Sequence, residues 1–477
     1  MQMLDALSER ILAVEAPGGP VARLQVVVPS IVTPGERFTV KLAALDEKAY
    51  PSVACVEAAR EIDGPAQGLP DAVAFEEGRP AIGLIEGVSL PEEGLHRLGF
   101  EFGGETYLSN PMLVDATARE RIYWGDPHVH TVLSRCHPTQ CRSLDFCFVA
   151  ARYMTGLDWV CATDHVSNDR CDKGKWEAQR RAVKVFDQPP DFAAILAYEA
   201  SLRGGCGGDN NVYCRGDLED FVDDYEEGDT RTLSDGLADE ECFIVPHHTT
   251  RTGKHGELSD RTYLGPERMP VVEIHSKWGT SEYRGNPNAL HDVHEGPSHV
   301  QDHLAQGYPL GFIAGTDTHA TMPSSYGDDS AHIDRLPGIT AVRAPALNRE
   351  AIYGSIKARN CYGTSAERIL ITDVSIADVG MGAEIPWLTP SMPRQIRASI
   401  AAESDIERVD VVRNGEDVFT RPGEGWCARL SWADEQDLTQ VAFEPRGHFE
   451  RPFVYYYIRV TCASGAQAWV SPVWLTL

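Results

Sequence analysis

Several features that mark common protein classes are missing from this 477-residue sequence. No run of residues approaches the ~18 apolar positions of a membrane span, and the opening MQMLDALSER lacks the pattern of a secretory signal. The twelve cysteines form no paired C-x-x-C motifs, which argues against a zinc ribbon. There is no internal repeat or low-complexity tract. We therefore expect a soluble, cytoplasmic protein whose cysteines are mostly buried free thiols.

Positive charge is also scarce, because 43 basic residues face 71 acidic ones and the net charge is −28. Such a chain is not expected to bind nucleic acid or a membrane across a broad surface, although a small anion held by metal ions is compatible with this charge. The glycine-rich stretch Arg203–Asn211 lacks the Lys-Ser/Thr of a phosphate-binding loop. It predicts a flexible loop over the mouth of a site. The oligomeric state is left open.

The sequence is organised around Ile122–His130, which reads IYWGDPHVH. Side chains alternate between the two faces of an extended strand, so His128 and His130 should point the same way. Two imidazoles side by side are the beginning of a metal chelate. Alone, such a pair is more often a surface accident than a metal site.

Further apolar runs downstream end in residue types that bind metals. Short apolar strands separated by helix-length segments indicate β/α units, and functional residues just past the strands are typical of the catalytic face of a (β/α) barrel. The runs are Leu157–Thr163 before Asp164 and His165, Phe192–Tyr198 before Glu199, Cys242–Pro246 before His247 and His248, Met269–Ile274 before His275, and Leu310–Thr316 before Asp317 and His319.

The distribution of strand-like and helix-like segments along the chain predicts three domains. Residues 1–115 are strand-like and predict an N-terminal β-rich, sandwich-like domain. Residues 116–369 carry the strand-end motifs and helix-like segments such as Asp145–Met154 and Lys175–Phe186. Residues 370–477 return to a β texture with an Asn-Gly hairpin signal, which predicts a C-terminal β-sandwich.

The ordered set H-V-H, T-D-H, Y-E, P-H, I-H and D-T-H resembles the PHP (polymerase and histidinol phosphatase) superfamily of metal-dependent hydrolases. Its surroundings, GDPHVHT, EIHSKWGTSE, GFIAGTDTHA and GITAVRAPALNREAIYGSIKARNCYGTSAERI, are similar to an uncharacterised branch with flanking β domains. The resemblance covers roughly Tyr123–Glu384. It implies an α/β fold built on a distorted (β/α)7 barrel.

The resemblance also implies a site for two or three divalent metal ions. A carboxylate that bridges two cations lets them sit ~3.5–4 Å apart with a hydroxide between them as nucleophile. Imidazole-rich ligands favour zinc, which we expect, with manganese or iron as alternatives. The implied ligands are His128, His130, Glu199 and Asp317 for a first ion, Glu199 again with His247 and His275 for a second, and His165, His319 and a residue of the loop after H-x-H for a third.

The sequence departs from the family pattern in that loop. Six residues after the second histidine the family usually has Asp or His, whereas this chain has Cys136 followed by His137. A Cys136 thiolate could bind the third ion, His137 could shift into its place, or the third ion could be absent. Because neighbouring residues of an extended segment point to opposite sides, one of the two should be the ligand, and the register favours Cys136.

These features predict a metal-dependent hydrolase of a small anionic substrate, most simply a phosphate ester. Glu199 would act in catalysis as the bridging ligand, and His248 or His319 would assist the leaving group. The alternatives are hydrolysis of an amide, lactone or sulfate ester, and a non-catalytic metal- or ligand-binding module. The cations expected to hold the substrate anion are Arg203, Arg251, Lys254, Lys277 and Arg343.

Overall fold

The computed structural model describes the chain except for residues 1–3, 63, 138, 168–169, 204, 223–227, 252–254, 291–292, 294–295 and 328–335. The described residues form mainly β-strands, with six α-helices among them. None of the described helices is both long enough and apolar enough to cross a lipid bilayer.

The N-terminal segment is β-structure preceded by one helix, α1 (Ala6–Glu15), whose first turn is capped by the Asp5 carboxylate. Its ten strands form three small sheets, in the orders β1-β3-β6, β2-β10-β7 and β5-β4-β8-β9. The strands are β1 Arg23–Val27, β2 Ile31–Val32, β3 Phe38–Leu45, β4 Ala58–Glu61, β5 Ala72–Ala74, β6 Ile82–Val88, β7 Gly94–His96, β8 Gly99–Phe102, β9 Glu105–Leu108 and β10 Met112–Val114.

The central segment carries the predicted strands and helices. Its strands are β11 Arg121–Val129, β12 Trp159–Ala162, β13 Ala193–Ser201, β14 Asp209–Cys214, β15 Cys242–Pro246, β16 Val271–Ser276, β17 Gly279–Thr280, β18 Gly311–Ala314, β19 Gly338–Ala344 and β20 Cys361–Ser365. Its helices are α2 Leu144–Val149, which continues as a π-helical turn Ala150–Met154, α3 Lys173–Phe186, α4 Thr230–Gly236, α5 Val300–Ala305 and α6 Arg349–Lys357.

The pairing of these strands differs from a regular (β/α)7 barrel. Strands β11, β12 and β13 are parallel, as are β16 and β18 in a separate sheet. Strands β14 and β15 add to β13 in antiparallel pairs, and β19 and β20 add to β11 in the same way. The described connection from β13 to β14 contains no helix, and a short connection returns the chain antiparallel. The predicted seven-unit barrel is therefore not confirmed.

The C-terminal segment is again β-structure and is continuous with the central sheet. Strand β20 pairs with β28, so strands on both sides of residue 369 share one sheet. The domain boundaries at residues 115 and 369 stay predictions. The strands of this segment are β21 Leu370–Ile376, β22 Glu384–Pro386, β23 Arg394–Ala401, β24 Ile406–Arg413, β25 Glu416–Pro422, β26 Cys427–Asp434, β27 Phe453–Cys462, β28 Gln467–Val470 and β29 Val473–Thr476.

The ends of the parallel strands meet in one place. The chain just after β18 runs beside the end of β11, where Asp317 donates its backbone N–H to the His128 carbonyl at 2.8 Å. On the other side of β11, His165 follows β12 and lies beside Glu199 of β13 in an isolated parallel bridge. The strand-end motifs of the sequence are thereby gathered around the end of β11.

Candidate metal centre

The two histidines of the H-x-H motif project to the same side, as the strand alternation predicted. Both are buried, and their Nε2 atoms lie 3.2 Å apart. Glu273 Oε2 is 3.0 Å from His128 Nδ1, and a carboxylate only accepts, so the neutral His128 ring donates from Nδ1. Ser134 gives its hydroxyl proton to Asp164, so His130 donates from Nδ1 to Ser134 at 2.9 Å. When both rings are neutral, as a bound metal ion requires, the two Nε2 atoms therefore present lone pairs to one point.

The Glu199 carboxylate faces four histidines. Its Oε1 lies 3.1 Å from His247 Nε2, and its Oε2 lies 2.9 Å from His165 Nδ1, 3.3 Å from His130 Nε2 and 3.9 Å from His128 Nε2. Burial alone would raise the pKa of Glu199, but His165 and the other imidazoles hold it well below its usual range. An ionised carboxylate with one oxygen toward each of two groups of imidazoles has the geometry of a bridging ligand.

The Asp317 carboxylate contacts the same two histidines and also His248. Its Oδ1 is 3.0 Å from His130 Nε2 and 3.5 Å from His128 Nε2, while its Oδ2 is 2.9 Å from His248 Nε2. The Trp278 indole also donates to Oδ2. The structure thus brings together all four residues implied for the first ion.

The electrostatics of this group favour a bound cation. Burial alone would lower the pKa of His128, but Glu273 and Asp317 raise it well above its usual value. Burial also opposes a charge on His130, whose pKa is nevertheless raised to about 9 by Cys136 and Asp317. Buried carboxylates must be compensated by positive charge. The donor set of imidazole and carboxylate suits a divalent transition metal, so the residues present fit the ions that the resemblance implies.

Cys136 lies against the other side of the H-x-H motif. Its Sγ and one ring nitrogen each of His130, His165 and His319 all lie within 4.8 Å of one another. Burial would raise the pKa of the Cys136 thiol, but His130 and His165 lower it to about 6. The His137 ring instead stacks on His319, with ring centroids 5.0 Å apart. This geometry favours Cys136 over His137 as the ligand from the loop.

We expect Cys136→Ser to lower the zinc content of the protein by one ion per chain, because a hydroxyl is a far poorer zinc ligand than a thiolate. Elemental analysis after removal of loosely bound metal measures this. The Co²⁺-loaded protein should also lose its sulfur-to-cobalt charge-transfer band. His137→Ala is the matched control and should keep both signals; loss of an ion in that variant alone would reverse the assignment.

His247 has a second carboxylate neighbour that the sequence reasoning missed. The ligand atoms of Asp209, His247 and His248 lie within 4.8 Å of one another, and all three residues are buried. Burial and the neighbouring His247 lower the pKa of His248 to about 4, so its ring is neutral. Asp209 also accepts from His255 Nδ1 at 2.8 Å. Asp209 lies in the glycine-rich stretch Arg203–Asn211, and the sequence marks it only by the two glycines that precede it.

His275 is the one predicted ligand that the structure places elsewhere. Its Nε2 lies 2.8 Å from the Leu336 carbonyl, and its ring stacks on Trp469 with centroids 5.5 Å apart. The pairing of β16 with β18 is irregular between Glu273 and His275. A bulge of this kind inverts the alternation. Glu273 thus reaches His128, while His275 belongs to none of the groups of converging ligand atoms among the described residues, and its assignment to the second ion stays a prediction.

The predicted cations fall in different places. Arg251 borders the site and stacks on Trp278, with its guanidinium carbon 3.9 Å from the ring centroid. Lys277 is fully buried, and its Nζ lies 3.0 Å from His319 Nδ1. It therefore contacts the site from inside the protein and not from the mouth of the cavity. Of these two, only Arg251 lines the cavity.

The other two predicted cations that the structure describes, Arg203 and Arg343, do not line the cavity. Arg203 is exposed and is not among the described residues that line the cavity. Arg343 pairs with Glu120 at 2.9 Å and stands opposite Ile122, near the start of β11, whereas the histidines lie at its end. Lys254 lies outside the described residues.

The ligand-type groups line a cavity of about 270 Å³. This volume suits a small molecule and not a polymer. Lining residues that the sequence reasoning did not single out are Ser167, Arg170, Ser201, Asp209, His255 and Trp278. They lie on loops or strands without metal-ligand spacing, so the sequence offered no local signal for them.

No protein-family model matches the chain. An uncharacterised protein of Chlamydia pneumoniae is 23% identical over 98% of this chain and 76% of that protein. Uncharacterised proteins of Chlamydia muridarum and Chlamydia trachomatis are each 29% identical, over 43% and 44% of this chain. The matches span 34% and 35% of those two relatives.

Among solved structures, the chain is similar to a two-domain protein from Bacteroides vulgatus described as containing a predicted PHP-like metal-dependent phosphoesterase. The identity is 14%, the match covers 71% of this chain and 90% of that one, and the TM-score is 0.37. A β-glucuronidase of Bacteroides uniformis matches 95% of this chain and 61% of its own, at 10% identity and a TM-score of 0.20. Both scores lie below 0.5, so neither structural similarity supports a conclusion about function.

Proposed function

We propose that the protein is a metal-dependent hydrolase of a small anionic substrate, with a phosphate ester as the substrate class. The proposal is supported by the resemblance of the strand-end motifs to the PHP superfamily. It is also supported by the size of the cavity and by a cation at its border. The observation that carries it concerns the two histidines of the H-x-H motif.

That observation is the convergence of lone pairs and negative charge on one point. His128 and His130 both use Nδ1 as the donor toward fixed acceptors, so their Nε2 lone pairs face each other at 3.2 Å. Glu199 and Asp317 approach the same two atoms to 3.3 Å and 3.0 Å. With both rings neutral, these acceptors point at one another in a buried site, and a metal cation held among them stabilises that arrangement.

Divalent ions held there would supply a Lewis acid and an activated water at neutral pH. The chain itself would bind and orient the substrate anion. The guanidinium carbon of Arg251 lies over the Trp278 ring, and a guanidinium group carries its donors in its own plane. It can therefore grip an oxyanion with two parallel hydrogen bonds. Arg170 lines the same cavity and adds positive charge.

His319 suits the role of hydrogen-bond donor to the oxygen of the leaving group. The Lys277 ammonium can only donate, so its 3.0 Å contact makes His319 Nδ1 an acceptor. The neutral ring then carries its proton on Nε2, and His319 lines the cavity. His248 instead uses Nε2 to contact Asp317, so we assign it the task of orienting that carboxylate. An ion beside Cys136 would then be held by Cys136 and His165.

The test is hydrolysis by metal-loaded protein of a panel of small phosphate, sulfate and carboxylate esters, lactones and amides. We expect the phosphate esters to be hydrolysed, with activity lost on chelation and restored by zinc or manganese. Selective hydrolysis of another bond would replace the substrate class and keep the metal site. A protein that binds metal and hydrolyses nothing would be a binding module.

We expect Arg251→Ala to lower kcat/KM on an anionic substrate by about 1–3 kcal/mol, which is about 5- to 150-fold, because a hydrogen bond to a charged group is lost. Steady-state kinetics measure this. Arg203→Ala removes the same charge from an exposed side chain outside the cavity and should leave kcat/KM unchanged. Equal kinetics for both variants and the native protein would remove Arg251 from the substrate site.

A further inference from the structure

We infer that Asp209 takes the position beside His247 and Glu199 that the resemblance assigns to His275. The second ion would then be held by Asp209, His247 and the bridging Glu199. This inference rests on the proposed function, since it names the ligands of an ion that the proposed chemistry uses. It is independent of the substrate.

The first argument is that His275 is committed elsewhere. Its Nε2 lies 2.8 Å from the Leu336 carbonyl and its ring stacks on Trp469, and it belongs to none of the groups of converging ligand atoms found among the described residues. Both partners lie in other parts of the chain, and Trp469 is fully buried.

The second argument is the placement of Asp209. Strand β14 pairs with β13 so that Ser201 is opposite Asp209 and Glu199 is opposite Asn211. Side chains two residues apart share a face of a sheet, so Asp209 and Glu199 lie diagonally on the same face. His247 joins them, since its Nε2 is 3.1 Å from Glu199 Oε1 and its backbone N–H donates to the Asp209 carbonyl at 3.4 Å.

The third argument is that the Asp209 carboxylate is oriented. His255 Nδ1 lies 2.8 Å from Oδ2, and the backbone N–H of Asp209 donates to the His255 carbonyl at 2.8 Å. The close approach needs a glycine, because a Cβ at Gly208 would meet that carbonyl oxygen at 2.4 Å. Outer hydrogen bonds that hold a ligating carboxylate in place are a regular feature of metal sites.

The fourth argument is an unsatisfied amide on the same face. Neither polar atom of the Asn211 side chain has a hydrogen-bond partner among the described residues, and the side chain is fully buried. A buried amide without partners is costly, at about 1–3 kcal/mol. Asn211 lies directly opposite Glu199 in the ladder. A hydrated ion between Asp209 and Glu199 would supply the missing partner.

Two matched variants test the inference, Asp209→Asn and His275→Asn, which introduce the same side chain at the two competing positions. Each protein is stripped with a chelator and reloaded with Zn²⁺. The zinc content per chain is measured by elemental analysis, and the affinity by competition with a chromophoric chelator. We expect Asp209→Asn to lose one ion or to bind it at least ~10-fold more weakly, and His275→Asn to match the native protein. His247→Asn is the positive control and should lose the same ion.

A His255→Ala variant keeps the inference testable if Asp209→Asn does not fold, which circular dichroism and thermal unfolding would show. His255 is partly exposed, and its loss should weaken binding of the same ion by about 10-fold through the freed carboxylate. Unchanged zinc binding in a folded Asp209→Asn or in His255→Ala overturns the inference, as does loss of an ion in His275→Asn. A native protein that retains no zinc overturns the proposed function as well.

Discussion

Glu199→Gln should abolish turnover and release metal from the centre while the fold is kept. The substitution preserves the shape of the side chain but removes the negative charge that four histidines surround at 2.9 to 3.9 Å. An amide offers one weak ligand oxygen in place of two, so it cannot bridge two cations. We expect kcat/KM to fall by at least ~1,000-fold, equivalent to about 4 kcal/mol. At least one ion should be lost on dialysis.

The measurement is activity together with zinc content, on protein whose fold is checked by circular dichroism. Glu384→Gln is a matched control, because this partly exposed glutamate pairs with Arg359 and His448 outside the centre. It should keep full activity and full zinc content. Activity of Glu199→Gln within a few-fold of the native level would show that Glu199 does not bridge.

Arg459→Met should cost about 3–5 kcal/mol of the free energy of unfolding, the largest stability effect that we expect from one side chain. Arg459 is buried on β27 and donates to Glu282 at 2.9 Å and to Asp410 at 2.9 Å. It also contacts Asp417. Burial opposes its charge, but Glu282 and Tyr457 raise the pKa of the guanidinium above its ordinary value. Its removal takes the cation from the buried Glu282 carboxylate and leaves the buried Asp410 with Arg408, 3.2 Å away.

Chemical denaturation of the native and variant proteins, with a constant slope against denaturant, measures this loss. Arg397→Met is the control, because Arg397 is exposed on β23 and its replacement should change stability by less than ~0.5 kcal/mol. A loss below about 1 kcal/mol for Arg459→Met would mean that the carboxylates take up protons or reach water at little cost.

Local pattern in the sequence was sufficient for much of the centre. The apolar run Cys242–Pro246 is strand β15 residue for residue, and the segment predicted as helical at Lys175–Phe186 lies within α3. His128 and His130 share a side because alternation along a strand is a property of neighbouring residues. Such features depend on a few adjacent positions, so they can be predicted without knowledge of the remaining chain.

Features that depend on the pairing of distant segments could not be predicted in the same way. The pairing of β16 with β18 is irregular beside His275, whereas the family resemblance implied this residue as a metal ligand. Asp209 reaches the centre because β14 returns antiparallel beside β13. Arg343 is remote from the centre because β19 runs antiparallel to β11 and places it opposite Ile122. Neither the direction of a paired strand nor its register can be predicted from one segment alone.

The sequence by itself determined which residue types end the strands, and with them the resemblance to a metal-dependent hydrolase family and most of the ligand set. The tertiary structure alone decided the proximity of Asp209 to His247, the position of Arg251 at the cavity, and the Arg459 network that compensates Glu282. The physical reason is the distance along the chain over which each effect acts. Residue type and alternation act over a few positions, whereas register, bulges and compensation of buried charge arise only when distant strands pack together.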